Sequence, residues 1–447
     1  MCDLVIQASS EEPDIGLLVV NILIKDLNDP NPSVRSTAIT TICSLAGLVA
    51  HVEAAVGLGL QDSSAGVRVS AVTGVGRVWR HSPALCQELG LVSALYSMLR
   101  DPEPTVVSFT LQTLNVILEK EGGVRINKKM ARYLLSRVVH YREKEFCFVV
   151  DFLHTPDWDE DLTLETLNSL DSFLDHSDGN VMLGVAKLFI KLVQNISSLR
   201  NSLIKRIVPV FASYLNSSSQ REFNHHLLEY IRIMDQDYID ALKPQVKVFF
   251  PKSRDTEKLK ITKIKFLPNL ILEDTAMESI NFILNLLPQS RSLNMAVFET
   301  LARICTSETS CYSHCLMNLE LLLKTDCDTY LEDILDCVVM FKLDEYSETE
   351  TDKVIPFVMT IIKNLKIPNI KTDSIPSVFY LLEHFAKYIQ QPENLIDDIM
   401  RLDKSSWSTE HYSLLLSSSY EVFLLRPAAM QTLKGIYYKL KKGFQKG

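Results

Sequence analysis

Nine residues early in the chain read Leu27-Asn-Asp29-Pro-Asn-Pro-Ser-Val34-Arg35. The same pattern recurs as Leu60-Gln-Asp62-Ser-Ser-Ala-Gly-Val67-Arg68. It recurs again, with Val in place of Arg, as Leu99-Arg-Asp101-Pro-Glu-Pro-Thr-Val106-Val107. Because the Leu, Asp and Val positions coincide, the first third of this 447-residue chain contains an internal repeat.

The apolar residues that follow each Asp keep the same register at helical spacing. Successive Asp residues of the repeat are 33 and 39 positions apart. Such intervals are typical of HEAT and armadillo repeats, in which each unit is a pair of antiparallel helices. The sequence therefore predicts an all-α solenoid of HEAT/armadillo-like helix-pair repeats. The aligned apolar positions are Ile39, Val72 and Leu111; Ile42, Val75 and Leu114; and Leu45, Val78 and Ile117.

The turn residues of the first repeat agree with this interpretation. Asp29-Pro-Asn31-Pro32 ends one helix and starts the next. Asn31 is a favourable N-cap, and Pro32 suits the first helical position because its missing N–H has no helical partner there. A small residue in the second helix, Ala38 or Ala71, allows neighbouring helices to approach closely.

Arg35 and Arg68 each follow the Asp of their own loop by six residues. In stacked repeats such residues can form a ladder of Asp and Arg side chains between adjacent units. We expect this ladder to comprise Asp29, Arg35, Asp62, Arg68 and Asp101. The alternative is that each Asp accepts hydrogen bonds within its own turn while each Arg extends into solvent.

Helical patterning persists to the end of the chain, although the repeat becomes harder to follow. Residues 13–120 hold the clearest repeats, and residues 121–447 hold degenerate ones. No long low-complexity linker interrupts them. We therefore predict one α-solenoid over residues 1–447.

Charge limits the partners that the chain can have. The net charge of −9 argues against a nucleic-acid partner, which requires a basic face that neutralises phosphates. Residues 243–265 carry eight basic and two acidic side chains, and residues 434–446 carry five lysines. Such runs are usually solvated helix faces and loops. Within the second run, Lys439, Lys441 and Lys442 are the candidates for contact with a membrane.

The composition predicts a folded protein of the cytosol. Apolar residues make up 47% of the chain and charged residues 23%, which is typical of globular proteins. The sequence has neither a secretory signal nor an apolar run of the roughly 20 residues that span a bilayer. Nine cysteines, an odd number scattered along the chain, indicate reduced thiols.

The sequence contains none of the motifs on which catalysis or cofactor binding commonly depends. Gly74-Val-Gly76 lacks the third glycine of a dinucleotide site, and neither a Walker loop nor a Gly-x-Ser-x-Gly elbow occurs. Cys311-Tyr-Ser-His314-Cys315 superficially resembles a zinc site but has no second ligand pair at a suitable distance. We expect no enzyme activity, no metal and no cofactor.

Three further stretches carry a resemblance to a known family. They are Pro13-Asp-Ile-Gly-Leu-Leu-Val-Val-Asn21, Glu121-Gly-Gly-Val-Arg-Ile-Asn-Lys128 and Leu134-Leu-Ser-Arg137. The first, together with residues 29–35, resembles beta-adaptins, the large beta subunits of the heterotetrameric adaptor-protein coat complexes. The other two resemble the beta subunit of the fourth, non-clathrin complex in particular. The similarity runs from about residue 13 to residue 195 and is weaker beyond.

This resemblance implies the trunk of a scaffold subunit. Such a trunk pairs with a medium chain, a second large chain and a small chain, and an Arf-type small GTPase recruits the complex. The implied location is the cytoplasm, in peripheral contact with the trans-Golgi network or endosomal membrane. The implied function is non-enzymatic participation in vesicle-mediated intracellular protein transport and cargo sorting.

The chain departs from that family in two respects. It is expected to be short at the N-terminus by the earliest repeats, and to lack the hinge and appendage that many members carry. No clathrin-box pattern occurs in it. Because a shared fold does not define a function, another HEAT-repeat scaffold, such as a nuclear transport receptor or a phosphatase scaffolding subunit, is the alternative interpretation.

Overall fold

The computed structural model describes residues 15–45, 48–124, 126–154, 159–217, 221–287, 290–346, 350–367, 370–402 and 407–426. Every regular element in these ranges is a helix, so the predicted all-α class is confirmed. The chain forms two compact units, Met1–Val210 and Phe211–Gly447. The single solenoid over the whole chain stays a prediction.

The helices of the first unit range from 6 to 20 residues and are joined by short loops. The α-helices that begin in this unit are α1 Ile15–Asp26, α2 Pro32–Ser44, α3 Val49–Leu60, α4 Ala65–His81, α5 Pro83–Glu88, α6 Leu91–Met98, α7 Pro104–Ile117, α8 Lys128–Ser136, α9 Glu143–Phe152, α10 Glu160–Leu170, α11 Gly179–Leu192 and α12 Ser197–Asn216. The short 3₁₀ helices are Glu119–Glu121, Val138–His140 and Asp171–Asp175.

Helices of the second unit follow the same plan. The α-helices are α13 Arg221–Arg232, α14 Gln236–Leu242, α15 Glu257–Phe266, α16 Glu273–Leu284, α17 Arg291–Ser307, α18 Tyr312–Thr325, α19 Cys327–Cys337, α20 Leu343–Tyr346, α21 Thr351–Asn364, α22 Ile375–Phe385, α23 Pro392–Arg401 and α24 Thr409–Leu425. The 3₁₀ helices are Lys243–Phe249, Leu267–Asn269, Thr309–Cys311, Val338–Phe341, Thr372–Ser374 and Ala386–Tyr388.

The start of α2 shows how the repeat loop is built. Asn31 has extended backbone angles, and its side chain accepts a hydrogen bond from the Ser33 N–H at 2.9 Å. Pro32 occupies the first turn. The predicted cap is therefore confirmed.

Each unit packs its helices in two layers. In the first unit, α2, α4, α7, α9 and α11 pack side by side in that order, and α3 and α6 cover them from the other layer. The nine apolar positions that the repeat aligns are all buried, at 0 to 5% exposure. Burial of an apolar side chain contributes roughly 1.5 to 3 kcal/mol, so a row of such positions holds adjacent repeats together.

The longer interval between Asp62 and Asp101 has a structural cause. The helix α4 has 17 residues, whereas its counterpart α2 has 13. The partner layer contains two short helices, α5 and α6, instead of one, and Gly90 separates them with a φ of +62°. Glycine adopts this left-handed conformation without steric penalty, so the chain bends here and continues.

The second unit repeats the two-layer arrangement. The helices α15, α17, α19, α22 and α24 pack in succession, and α18 packs against α21 in the other layer. Its core is rich in large side chains, including Phe249, Phe266, Phe298, Phe341 and Phe379, each less than 2% exposed. No helix in the described ranges is both long and apolar enough to cross a bilayer.

Candidate functional site

The predicted Asp and Arg residues meet at the loops that join the two layers. The Nε and Nη2 atoms of Arg35 donate to the two carboxylate oxygens of Asp62 at 2.7 and 2.8 Å. Its Nη1 donates to the carbonyl oxygens of Asp29 and Pro30 at 2.8 and 3.2 Å. One guanidinium thus binds its own loop and the carboxylate of the next loop.

Arg68 repeats this arrangement one unit further along. Its Nε and Nη2 donate to the carboxylate of Asp101 at 2.8 and 2.9 Å, while Nη1 donates to the carbonyls of Asp62 and Ser63. The side chains of Arg68 and Asp101 are 13% and 4% exposed. Bidentate pairs of this kind are among the strong hydrogen bonds, since both partners are charged and the geometry is fixed.

The Asp residues also make the local turn contacts that the alternative interpretation assigned to them. Asp29, Asp62 and Asp101 each accept a hydrogen bond at 2.8 Å from the backbone N–H two residues downstream. The turn contact and the contact between units coexist at Asp62 and Asp101. The guanidinium of Arg35 is the largest factor that lowers the pKa of Asp62 below its ordinary value of 3.8.

The third loop has no arginine at the ladder position, because Val107 stands there and is buried. Arg137, which follows α8, takes over the contact to the loop. Its Nη1 donates to the Asp101 carbonyl oxygen at 2.7 Å, and its Nη2 donates to that of Pro102. Sequence analysis did not place Arg137 in the ladder, since the residue lies outside the repeated nine-residue pattern.

Four of the eight basic residues in the stretch 243–265 form ion pairs within the second unit. Lys243, Lys247 and Lys265 form ion pairs with Asp240, Glu278 and Glu299 at 2.7 to 2.8 Å. These pairs favour the interpretation that this stretch is a set of solvated helix faces. Lys439, Lys441 and Lys442 lie outside the described residues.

Lys263 is the exception in this stretch because its side chain is fully buried. Its ammonium lies 2.7 Å from the carboxylate of Asp255, which is 10% exposed. Asp255 also accepts a hydrogen bond from the Lys252 backbone N–H at 2.9 Å. The ion pair therefore fastens the loop that precedes α15 onto that helix.

The cysteine cluster does not have the geometry of a metal site. Cys305, Cys311 and Cys315 are buried, and a hydrogen bond with Cys315, together with burial, raises the pKa of Cys305. The raised pKa of Cys305 favours its protonated thiol, whereas zinc binds the thiolate. His314 instead lies 3.1 Å from the amide oxygen of Asn281. Within the described ranges, no group of three or more His, Cys, Asp and Glu side chains is placed to hold a metal ion.

Two open clefts lie between neighbouring helices of one layer. The first, between α7 and α9, has a volume of about 390 Å³ and is lined by Phe109 and Phe148 with charged residues at its rim. The second, between α21 and α23, has a volume of about 650 Å³ and is lined by apolar side chains, amides and Lys363. The amide groups of this lining can both donate and accept hydrogen bonds.

The fold and the ladder together define a scaffold of helix-pair repeats, and comparison with known proteins defines its family. The family model described as the adaptin N terminal region matches residues 4–435. The chain therefore belongs to the adaptin family.

Individual relatives include beta subunits of two adaptor complexes. The AP-4 complex subunit beta-1 of Mus musculus is 33% identical over 272 residues, covering 60% of this chain and 36% of that protein. The AP-4 complex subunit beta of Dictyostelium discoideum is 26% identical, covering 63% and 33%. The AP-1 complex subunit beta-1 of Homo sapiens is 21% identical, covering 95% and 45%.

These matches confirm the predicted resemblance to beta-adaptins and to the beta subunit of the fourth complex. This chain spans between a third and a half of the length of these relatives.

Proposed function

We propose that this chain is the trunk of a beta subunit in an adaptor-protein coat, specifically of the fourth adaptor complex. The observation that carries this proposal is the match of the adaptin N terminal region to residues 4–435. The two AP-4 beta relatives support the choice of complex. A stack of helix pairs suits this role, since each repeat adds surface on which another subunit can bind.

The proposed role is non-enzymatic. A scaffold must hold partner chains at fixed positions, and the ladder contributes to this because it connects successive loops of the first unit at Arg35 and Arg68. The open clefts and exposed helix faces offer surfaces for protein contact. No chemical step and no cofactor are part of this function.

The proposed partners are the other subunits of the complex: a medium chain, a second large chain and a small chain. An Arf-type small GTPase would recruit the assembly to the trans-Golgi network or endosomal membrane from the cytoplasm, where the coat sorts cargo into vesicles. The net charge of −9 supports partners other than nucleic acid.

Co-expression tests this proposal. The tagged full chain is produced together with the medium, second large and small chains of the fourth complex, and in parallel with those of the first complex. We expect the four chains of the fourth complex to elute together in size-exclusion chromatography. A Val75→Asp variant, which places a carboxylate in the core of the first unit, serves as the control for capture of unfolded protein.

Two outcomes would overturn the proposal. In the first, the folded chain elutes alone in both co-expressions. In the second, affinity purification from cells recovers a Ran-type GTPase or a phosphatase catalytic subunit in place of adaptor chains. The second outcome would favour the alternative HEAT-repeat scaffolds.

A further inference from the structure

The cleft of about 650 Å³ between α21 and α23, which we call the amide cleft, has amide side chains along one wall. Gln390 and Gln391 come directly before α23, and Asn394 lies in the first turn of that helix. All three residues are exposed. This wall therefore presents groups that form hydrogen bonds without carrying charge.

Much of the hydrogen-bonding capacity of the amide wall is unused within the chain. The Nδ2 atom of Asn394 donates to the Oε1 atom of Gln391 at 2.6 Å. The Oδ1 atom of Asn394, the Nε2 atom of Gln391 and the whole amide of Gln390 form no hydrogen bond with the residues that the structure describes. Both donors and acceptors thus remain for a bound molecule.

The α21 side of the amide cleft carries apolar side chains, one hydroxyl and one cation. Met359 and Ile362 supply the apolar surface, and the Thr360 hydroxyl already donates to the Pro356 carbonyl at 2.8 Å. Lys363 is exposed and is the one charged residue in the described lining of the cleft. Its ammonium forms no ion pair within the described ranges. The cleft therefore attracts a negatively charged group.

Apolar surface continues from the amide cleft onto the neighbouring helix of the same layer. The helix α18 packs against α21, and its residues Met317 and Leu321 are 51% and 59% exposed. Residues four positions apart lie on the same side of a helix. A partner that covers both the cleft and this side of α18 must be longer than a small molecule.

The chemistry of the amide cleft favours an extended peptide over a helix. A helix bonds its backbone N–H and C=O groups internally, so only its side chains are left for a partner. An extended segment leaves these backbone groups free, and amide side chains can bind both kinds. A carboxylate on the segment matches Lys363, and apolar side chains match Met359 and Ile362. The flexible methionine side chain adapts to apolar groups of different shapes.

We propose that the amide cleft binds an extended segment of a partner protein in which apolar side chains lie beside a carboxylate. The amides of Gln390, Gln391 and Asn394 bind the backbone of the segment, and Lys363 pairs with its carboxylate. The apolar side chains of the segment lie against α21. This contact adds to the subunit interfaces of the proposed function and does not depend on them.

Fluorescence anisotropy of the full chain with pools of short labelled peptides tests the proposal. Every pool alternates Leu, Ile, Met or Phe with a second set of positions, which carries Asp or Glu in the acidic pool and Lys or Arg in the basic pool. We expect the acidic pool to bind at least about tenfold more tightly, because the basic pool places like charges against Lys363. Methylation of the backbone nitrogens of the acidic pool should weaken binding about tenfold, since it removes the N–H donors that the amide oxygens accept.

Variants of the chain locate the binding site. Gln390→Ala combined with Asn394→Ala should lower the affinity for the acidic pool at least about tenfold, because the backbone of the peptide loses its partners. Lys363→Glu should reverse the preference between the acidic and basic pools. The matched control is Lys258→Glu, which changes an exposed lysine of α15 in the same unit and should leave both affinities unchanged. All four residues are exposed, so an unchanged midpoint of urea unfolding confirms that each variant is folded.

Three results would overturn the proposal. In the first, neither pool binds, or the two pools bind equally. In the second, the Gln390 and Asn394 substitutions leave the affinity of the acidic pool unchanged. In the third, the full chain self-associates in sedimentation velocity and Leu321→Ser abolishes the association, because a second copy then covers the surface. Peptide binding is measured on the chain alone, so failure of the co-expression experiment does not affect these outcomes.

Discussion

At the scale of single residues, Arg68 connects two loops through one guanidinium group. It bridges the Asp101 carboxylate and two carbonyls of its own loop. Most of the pair is shielded from water, so loss of one partner leaves a buried charge without its counterion. Removal of one partner therefore costs more stability than the loss of an exposed ion pair.

We predict that Arg68→Ala lowers the free energy of unfolding by about 3 kcal/mol, because Asp101 remains buried and unpaired. Urea titration of the full chain measures this change. The control is Arg132→Ala, which breaks the exposed pair with Glu165 and costs at most about 1 kcal/mol. Equal effects of the two substitutions would show that the Arg68 contact stabilises the fold no more than an exposed ion pair does.

The lowered pKa of Asp62 makes the free energy of unfolding depend on pH in the acid range. Its pKa in the folded chain is lowered below 3.8, mainly by the hydrogen bond from Arg35. The stabilisation is therefore complete above the unfolded pKa and is lost as the pH falls through the lower folded pKa. The difference in unfolding free energy between the natural chain and Asp62→Asn should be constant down to about pH 4 and shrink below it.

The control for this pH effect is the same comparison in an Arg35→Ala background, where the main cause of the lowered pKa is absent. There the difference should depend much less on pH. A difference that stays constant down to pH values well below 3.8 in the natural background would contradict the prediction.

Lys263 should be sensitive to substitution although it is a lysine in a basic stretch. Lys263→Met leaves the carboxylate of Asp255 without its buried counterion and should lower the free energy of unfolding by about 3 to 5 kcal/mol. Lys247→Met, which removes a lysine whose side chain is 67% exposed, should lower it by at most about 1 kcal/mol. Thermal melting of both variants provides the comparison, and similar melting temperatures would refute the structural role of Lys263.

At the scale of the helix, we expect alanine substitution at two glycines of α3 to have opposite effects on stability. A Cβ at Gly59 would lie 2.7 Å from the Cβ of Ala71 and from Cδ1 of Ile39, whereas a Cβ at Gly57 would meet nothing within 4 Å. Gly59→Ala should therefore destabilise the chain by about 1 to 3 kcal/mol through overpacking. Gly57→Ala should stabilise it by up to about 1 kcal/mol, since alanine favours the helix.

Urea titration distinguishes the two glycine variants by the sign of the change. Both substitutions add one methyl group to the same helix, so helix propensity alone predicts stabilisation in each. Stabilisation by Gly59→Ala would mean that α3 and α4 can separate without loss of packing.

The helices show which features the sequence can predict. The N-cap at Asn31 and the buried positions near Val75 follow from turn chemistry and periodicity, and both are confirmed. The break at Gly90 escaped detection, because glycine within a helical pattern does not reveal by itself where the chain bends. The helix α20, Leu343–Tyr346, gives no periodic signal in the sequence because only four residues form it.

The burial of Lys263 could not be predicted from the sequence either. Its partner Asp255 lies eight residues upstream in a loop, at a distance that no helical spacing encodes. The ladder residues, in contrast, could be proposed from the sequence because the repeat itself aligns them: each Asp lies in a loop, and Arg35 and Arg68 lie in the first turns of α2 and α4.

At the scale of the whole molecule, the basic residues near the end of the chain predict binding to anionic membranes. Replacing Lys439, Lys441 and Lys442 with Glu should weaken flotation with anionic vesicles roughly a hundredfold, since each lysine contributes about 1 kcal/mol near such a surface. The control changes three exposed lysines of the first unit, Lys128, Lys129 and Lys144, to Glu. Equal flotation of the two variants would remove the proposed role of the three lysines.

Arg137 has a consequence for how such proteins diverge over time. It shows that the carbonyl oxygens of a loop can be bound although Val107 occupies the ladder position, because a neighbouring unit supplies the cation. The contact between units therefore does not depend on any single position of the nine-residue pattern. Descendants of an ancestral array can accordingly lose recognisable periodicity while their backbones remain superimposable.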